Sequence, residues 1–155
     1  MHVRHLGHLV LYVRNLQRSL GFYRDLLGLT AKGDTFGGQA CVLTSGRTHH
    51  ELLLLEVGDA PGPATGRRLG LYHVGWCIGD SDTELVAAKR QLEAAGVAID
   101  GMSDHLISRS LYLSDPDGNE VELYVDVTDY DWKHREEWLR QPVRPLRLDD
   151  LRLDE

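Results

Sequence analysis

Eight histidines in a chain of 155 residues are its unusual feature. Five of them, His8, His49, His50, His73 and His105, lie in or beside stretches that read as strands. His8 and His73 stand 65 residues apart, each near the start of a similar apolar run, GHLVLYV and LYHVGWCI. A third candidate is Glu122 in the run NEVELYV, where strand alternation puts Glu120, Glu122 and Tyr124 on one face and Val121, Leu123 and Val125 on the other. A carboxylate on an otherwise well-formed strand needs water, a partner or a metal. Imidazole and carboxylate are good ligands for iron, manganese and zinc, and three protein ligands leave coordination positions free. Taken singly, each of the three is more often an ordinary polar group; the matched placement of two histidines makes ligation the better reading. Two histidines and one carboxylate point to a non-haem Fe2+ site that binds substrate and O2 together, and Mn2+ suits the same set.

The elements that must position these groups read twice along the chain. In the first pass a strand over Gly7–Val13 leads into a helix capped by Asn15. That helix carries Leu16, Leu20, Tyr23, Leu26 and Leu27 at helical spacing and is ended by Gly28. Strands are expected near Leu29–Phe36, Gln39–Thr44 and Glu51–Val57, and GDAPGPATGRRLG (58–70) reads as a linker. The same order then returns: a strand over Leu71–Ile78, a helix capped by Asp80 or Asp82 and stopped by Gly96, and strands near Val97–Gly101, Ser108–Ser114 and Glu120–Val125. The last two are joined by the turn Asp115-Pro116-Asp117-Gly118-Asn119.

Two βαβββ modules, about 5–57 and 71–127, therefore make one domain over 1–127 of the α+β class. Packed as pseudo-twofold partners in a half-barrel, they would carry His8 and His73 to a common metal cleft. From Gly28, the offset that joins Gly96 to Glu122 reaches Leu54, with Leu53 one step away. The first module thus lacks the partner carboxylate, although Glu51 and Glu56 stand close enough to be fourth ligands if the strand is shifted. Residues 128–155 read as a C-terminal helix followed by a polar tail.

Composition narrows the partners. The net charge of −7 disfavours nucleic acid, since Arg67-Arg68 and the late arginines are interleaved with acids and apolar residues. The sequence has no apolar run long enough to cross a bilayer and no leader-like start, so no membrane partner is expected. Cys41 and Cys77 match no zinc or redox spacing and read as buried free thiols in a reducing, cytoplasmic setting.

The run His105-x5-Leu111-Tyr112-x2-Asp115-Pro116-x-Gly118-x3-Glu122 resembles the signature of the type I extradiol ring-cleavage dioxygenases, a branch of the vicinal-oxygen-chelate (glyoxalase/bleomycin resistance/dioxygenase) superfamily. The resemblance covers roughly residues 5–127 and departs at Ser103. It implies a short single-domain enzyme that cleaves a catechol-type aromatic diol with Fe2+ and O2, and His8, His73 and Glu122 as the metal ligands. It also implies catalytic roles for three further residues. His50, in His50-Glu51-Leu52-Leu53-Leu54, matches the segment of the acid–base histidine; His105 matches the histidine that touches substrate, and Tyr112 the tyrosine that hydrogen-bonds a ring oxygen. His49 is expected on the opposite strand face from His50. Relatives often form dimers, which makes a homodimer an expected assembly. In the related glyoxalases the first module supplies a carboxylate where this chain has Leu53, which counts against that activity. Two rivals share the fold: a lyase, isomerase or epimerase using Zn2+, Ni2+ or Co2+ with a fourth protein ligand, and a metal-free binding protein of the bleomycin-resistance kind.

Overall fold

The structure is a computed structural model that describes residues 1–64, 66–67, 69–147 and 151. It is an α+β fold of two compact units, each with its own open sheet.

The first unit comprises Met1–Thr65 and Asp115–Gly118. Strands β1 (Leu9–Val13), β2 (Thr30–Thr35), β3 (Ala40–Thr44) and β4 (Leu52–Glu56) lie in the order β1-β4-β3-β2, with β1 and β4 parallel and the other pairs antiparallel. As the spacing predicts, the Asn15 side chain accepts from the Arg18 N–H and starts helix α1 (Leu16–Leu20). The helix then widens over Gly21–Leu26, where the Leu27 N–H reaches back to the Phe22 carbonyl. The wider turn buries Phe22 and Tyr23 together and leaves Leu26 and Leu27 only half-buried. Leu16, Leu20, Leu11, Leu43, Leu52 and Leu54 are among the residues that join them in this core. Gly28 follows at φ +80°, a left-handed backbone that stops the helix and that glycine adopts without a steric penalty.

The second unit comprises Gly66–Ser114 and Asn119–Glu155. Strands β5 (His73–Gly79), β6 (Ile99–Asp104), β7 (Ser108–Ser114), β8 (Glu120–Asp126) and β9 (Arg144–Pro145) take the order β5-β8-β7-β6-β9. The first four repeat the order of the first unit, again with one parallel pair, β5 and β8. Each second strand even breaks register one residue before a glycine, at Ala31/Gly33 and at Ile99/Gly101. Helix α2 (Asp82–Ala94) buries Leu85, Val86 and Leu92. Neither Asp80 nor Asp82 caps it; Ser81 does, in a reciprocal box with Glu84. Asp82 is instead drawn inward, where it accepts from Arg109 of β7.

Two further expectations change. Cys41 is buried, but Cys77 is exposed, because β5 is a sheet edge and Cys77 shares the open face of that strand with Gly75. The C-terminal segment forms no long helix: its described part holds a single 3-10 turn, Glu137–Leu139, and then pairs as β9 with β6. Tyr130 anchors it, buried, with its hydroxyl on Glu137 and the Arg135 guanidinium 4.6 Å from the ring centre. The remainder of the expected polar tail, 148–150 and 152–155, lies outside the described residues. Among the described residues no helix is long and apolar enough to cross a membrane.

Candidate metal centre

Alternation along β8 gives the face the sequence predicts. Val121, Leu123 and Val125 are buried in the core, while Glu120, Glu122 and Tyr124 look to the other side. Pairing then lines up three strands: His73 lies opposite Glu120, Gly75 opposite Glu122, and Tyr112 opposite Glu122 from the β7 side. The side chains meet accordingly. His73 Nε2 lies 3.1 Å from Glu122 Oε2, and Tyr112 Oη donates to Glu122 Oε1 at 2.9 Å. His105 Nε2 is 2.7 Å from the same hydroxyl. A phenol has one hydrogen, so if it is given to Glu122, His105 must donate through Nε2–H, which assigns its tautomer. Burial, and then the bond to Glu122, push the Tyr112 phenol well above its ordinary value, so it stays a donor at neutral pH.

Two ligands at roughly 2.1 Å from one divalent ion, at right angles, stand about 3 Å apart. The His73 Nε2 to Glu122 Oε2 spacing of 3.1 Å fits that demand. The other ring nitrogen, Nδ1, is buried without a hydrogen bond, 3.4 Å from Glu120 Oε1 in poor alignment. A ring nitrogen beside a carboxylate is the usual outer support of a metal-bound histidine. Gly75 is a residue that sequence reasoning passed over. A Cβ built there would lie 3.3 Å from Glu122 Oε2 and 3.4 Å from the Tyr124 ring, so the bare backbone makes room for the carboxylate. The signal was available: His73 and Gly75 are two apart and share a face.

The first unit gathers a second group. His8 directly precedes β1 and is exposed. His50 lies in the loop before β4, its ring 4.5 Å from that of His8 and 4.5 Å from that of His49, with the Nδ1 atoms of His49 and His50 at hydrogen-bonding distance. His49 therefore does not point away from His50. The pair sits in a loop, where strand alternation does not apply. Desolvation, then the neighbouring His49 and His8, hold the His50 imidazole below its ordinary value.

The register also locates the missing carboxylate. Val10 pairs with Leu53 as Gly75 pairs with Glu122, so Leu53 is the counterpart of Glu122 in the first unit. The two nearby acids are engaged elsewhere. Glu56 accepts from the Leu16 N–H at the start of α1. The Glu51 carboxylate, buried, is turned into its own loop, toward Thr44, Ser45 and Thr48. Both fourth-ligand candidates thus have backbone partners. Among the described residues no three His, Cys, Asp or Glu side chains close on one point by themselves. The second unit brings together His73, Glu122, Tyr112 and His105; the role of His8 rests on its sequence equivalence to His73.

Residues 5–123 match the model of the Glyoxalase/Bleomycin resistance protein/Dioxygenase superfamily. The chain belongs to that superfamily. Within it the chain is similar to the catechol-2,3-dioxygenase of Bacillus subtilis (strain 168), 37% identical over 86% of this chain, and spans 45% of that protein's length. It is also similar to the glutathione transferase FosA of Serratia marcescens, 32% identical over 77% of this chain and 79% of the transferase. Among solved structures, a glyoxalase/dioxygenase from Nostoc punctiforme superposes with a TM-score of 0.69 at 22% identity, over 79% of this chain and 91% of that one, which establishes the shared superfamily fold.

Proposed function

We propose that the chain acts as an extradiol ring-cleavage dioxygenase, opening a catechol-type aromatic diol with Fe2+ and O2, with His8, His73 and Glu122 as the metal ligands. The observation that carries this reading is the His105–Tyr112–Glu122–His73 chain, assembled in the motif order, on a unit whose first-unit counterpart offers Leu53 in place of a carboxylate. The similarity to a catechol-2,3-dioxygenase also supports it.

Fe2+, once bound, would hold the diol and O2 side by side and carry electrons between them. The remaining steps belong to the protein. Tyr112 holds its proton on Glu122. Rotation about its C–O bond carries that proton to an incoming ring oxygen while His105 keeps hold of the phenol. His105 Nε2 also lies 3.8 Å from Glu122 Oε1, near enough to orient a ring presented at this face. A diol sheds protons as it chelates, and His50, its imidazole biased to the neutral form, is suited to take one and to return it later.

The similarity to a glutathione transferase favours a second reading, group transfer or lyase chemistry on the same scaffold. The engagement of Glu51 and Glu56 by backbone N–H groups weighs against the four-ligand site that the lyase-type alternatives require. The deciding experiment loads the protein with Fe2+ under anaerobic conditions and follows O2 uptake with simple, biphenyl-type and carboxylated catechols. Uptake with formation of a yellow ring-opened semialdehyde is expected. Full iron occupancy without uptake on any of them would overturn the assignment.

A further inference from the structure

Glu51 is an acid that neither the ligand set nor the proton steps use, yet it is 6% exposed at the end of a loop. Both of its oxygens are engaged. Oε2 accepts from the Ser45 N–H at 2.7 Å and lies 2.9 Å from the Thr44 hydroxyl and 3.3 Å from the Ser45 hydroxyl. Oε1 accepts from the Thr48 N–H at 2.7 Å, with Arg47 Nε 3.7 Å away. Thr44 Oγ1 also lies 2.7 Å from the Thr48 carbonyl and accepts from the Gly46 N–H. One carboxylate therefore folds the segment 44–48 around itself.

The same residue ties that segment to the strands through its main chain. Its N–H donates to the Leu43 carbonyl at 3.0 Å, and its carbonyl accepts from the N–H of Leu9 at 2.8 Å. Leu9 directly follows His8, and Glu51 directly follows His50. Glu51 is thus the joint between the two rings, whose centres lie 4.5 Å apart with their planes tilted by 37°. The duplicated unit offers an internal comparison. Two residues before the Gly75–Glu122 pair stands His73 opposite Glu120; two before the Val10–Leu53 pair stand His8 and Glu51. At this position the second unit turns its carboxylate toward the ligand histidine, whereas the first turns it into the loop.

We propose that Glu51 is a positioning residue: by gathering the 44–48 loop onto its buried carboxylate, it holds the His50 ring against His8. This rests on the dioxygenase reading for its consequence in turnover, but not for its consequence in geometry. The alternative that Glu51 ligates the metal predicts the opposite pattern of effects. A glutamine there keeps the shape and loses one acceptor, setting an N–H2 group against a backbone N–H.

The test uses the full chain as Glu51→Gln, Thr44→Val and Thr44→Ser. In metal-free protein, cross-relaxation between the His8 and His50 ring protons reads the ring contact. In Fe2+-loaded protein, Fe2+ affinity, kcat and KM are measured separately. Glu51→Gln is expected to lose the His8–His50 contact and to lower kcat about ten- to a hundredfold, with KM and Fe2+ affinity unchanged. Thr44→Val should act in the same direction, and Thr44→Ser, which restores the hydroxyl, should rescue it. If Glu51→Gln fails to fold, the threonine pair decides on the same readouts. Two results overturn the proposal: a ring contact and kcat like those of the wild type in the folded variants, or a loss of Fe2+ affinity in step with kcat, which would make Glu51 a ligand. A wild-type protein without oxygenase turnover whose ring contact still depends on Glu51 would sink the dioxygenase reading and leave the positioning role standing.

Discussion

At the scale of single residues, the second unit makes one acid serve two neighbours. Glu122 offers Oε2 to His73 and Oε1 to Tyr112. His73→Ala is expected to abolish metal binding, measured by titration with Fe2+. Tyr112→Phe keeps the ring and removes the proton donor, so it should retain the metal and lower turnover by roughly 10²-fold, within the range for loss of one polar stabiliser. Gly75→Ala is the subtler probe. Its Cβ would crowd Glu122 Oε2 at 3.3 Å, so the carboxylate must shift. Metal affinity should fall while the thermal transition stays near that of the wild type; wild-type affinity in Gly75→Ala would mean that the cradle is not needed. These residues differ in how readable they are from sequence. His73, Tyr112 and Glu122 announce themselves by type and spacing. Gly75 and Glu51 act through the absence of a side chain and through backbone donors in a loop, and neither is visible in residue type.

Elements are held by a few polar joints over an apolar core. The Tyr23 hydroxyl, buried, donates to Asp115 Oδ2 at 2.8 Å and so fastens the Asp115–Gly118 turn to the first unit. Burial and the adjacent carboxylate drive the Tyr23 phenol far above its ordinary value, so it is a permanent donor. Tyr23→Phe removes one hydrogen bond to a charged group and should cost about 1.5–3 kcal/mol, read from denaturant midpoints. An unchanged midpoint would remove this joint from the account. At this scale most of the architecture was legible. The helix opened by Asn15, the glycine stops and the strand over Ser108–Ser114 follow from caps, φ > 0 positions and alternation. The cap of α2 was misjudged because Asp80, Ser81 and Asp82 are all good cap residues; only the box with Glu84, three residues on, singles out Ser81. The C-terminal segment misled for another reason. DYDWKHREEWLRQ has helix-forming residues, but Tyr130 is buried and the chain beyond it is drawn into β-pairing with β6, a tertiary contact that local propensity does not record.

For the molecule as a whole, duplication followed by specialisation explains the asymmetry. Both units keep the strand order, the parallel outer pair and the bulge before glycine, but only the second has a carboxylate, Glu122, where the first has Leu53. Acid sensitivity follows from one of the buried carboxylates, that of Glu51. Burial would raise Glu51, but the Ser45 N–H, the Thr44 hydroxyl and the Thr48 N–H outweigh it, and its value lies below the ordinary carboxylate range. A depressed folded value adds stability that is complete above the unfolded value, about 4.3, and is lost as pH falls through the folded one. The melting temperature of the wild type should therefore drop more steeply below pH about 4.5 than that of Glu51→Gln. Parallel curves would contradict this. The proposed ligand set of His8, His73 and Glu122 is the claim from which the chemistry follows, and Fe2+ binding by His8→Ala tests it most directly. One Fe2+ per wild-type chain and its loss in His8→Ala, as in His73→Ala, is the predicted result. Undiminished Fe2+ affinity in His8→Ala would contradict the account, because the first unit would then contribute no ligand through His8.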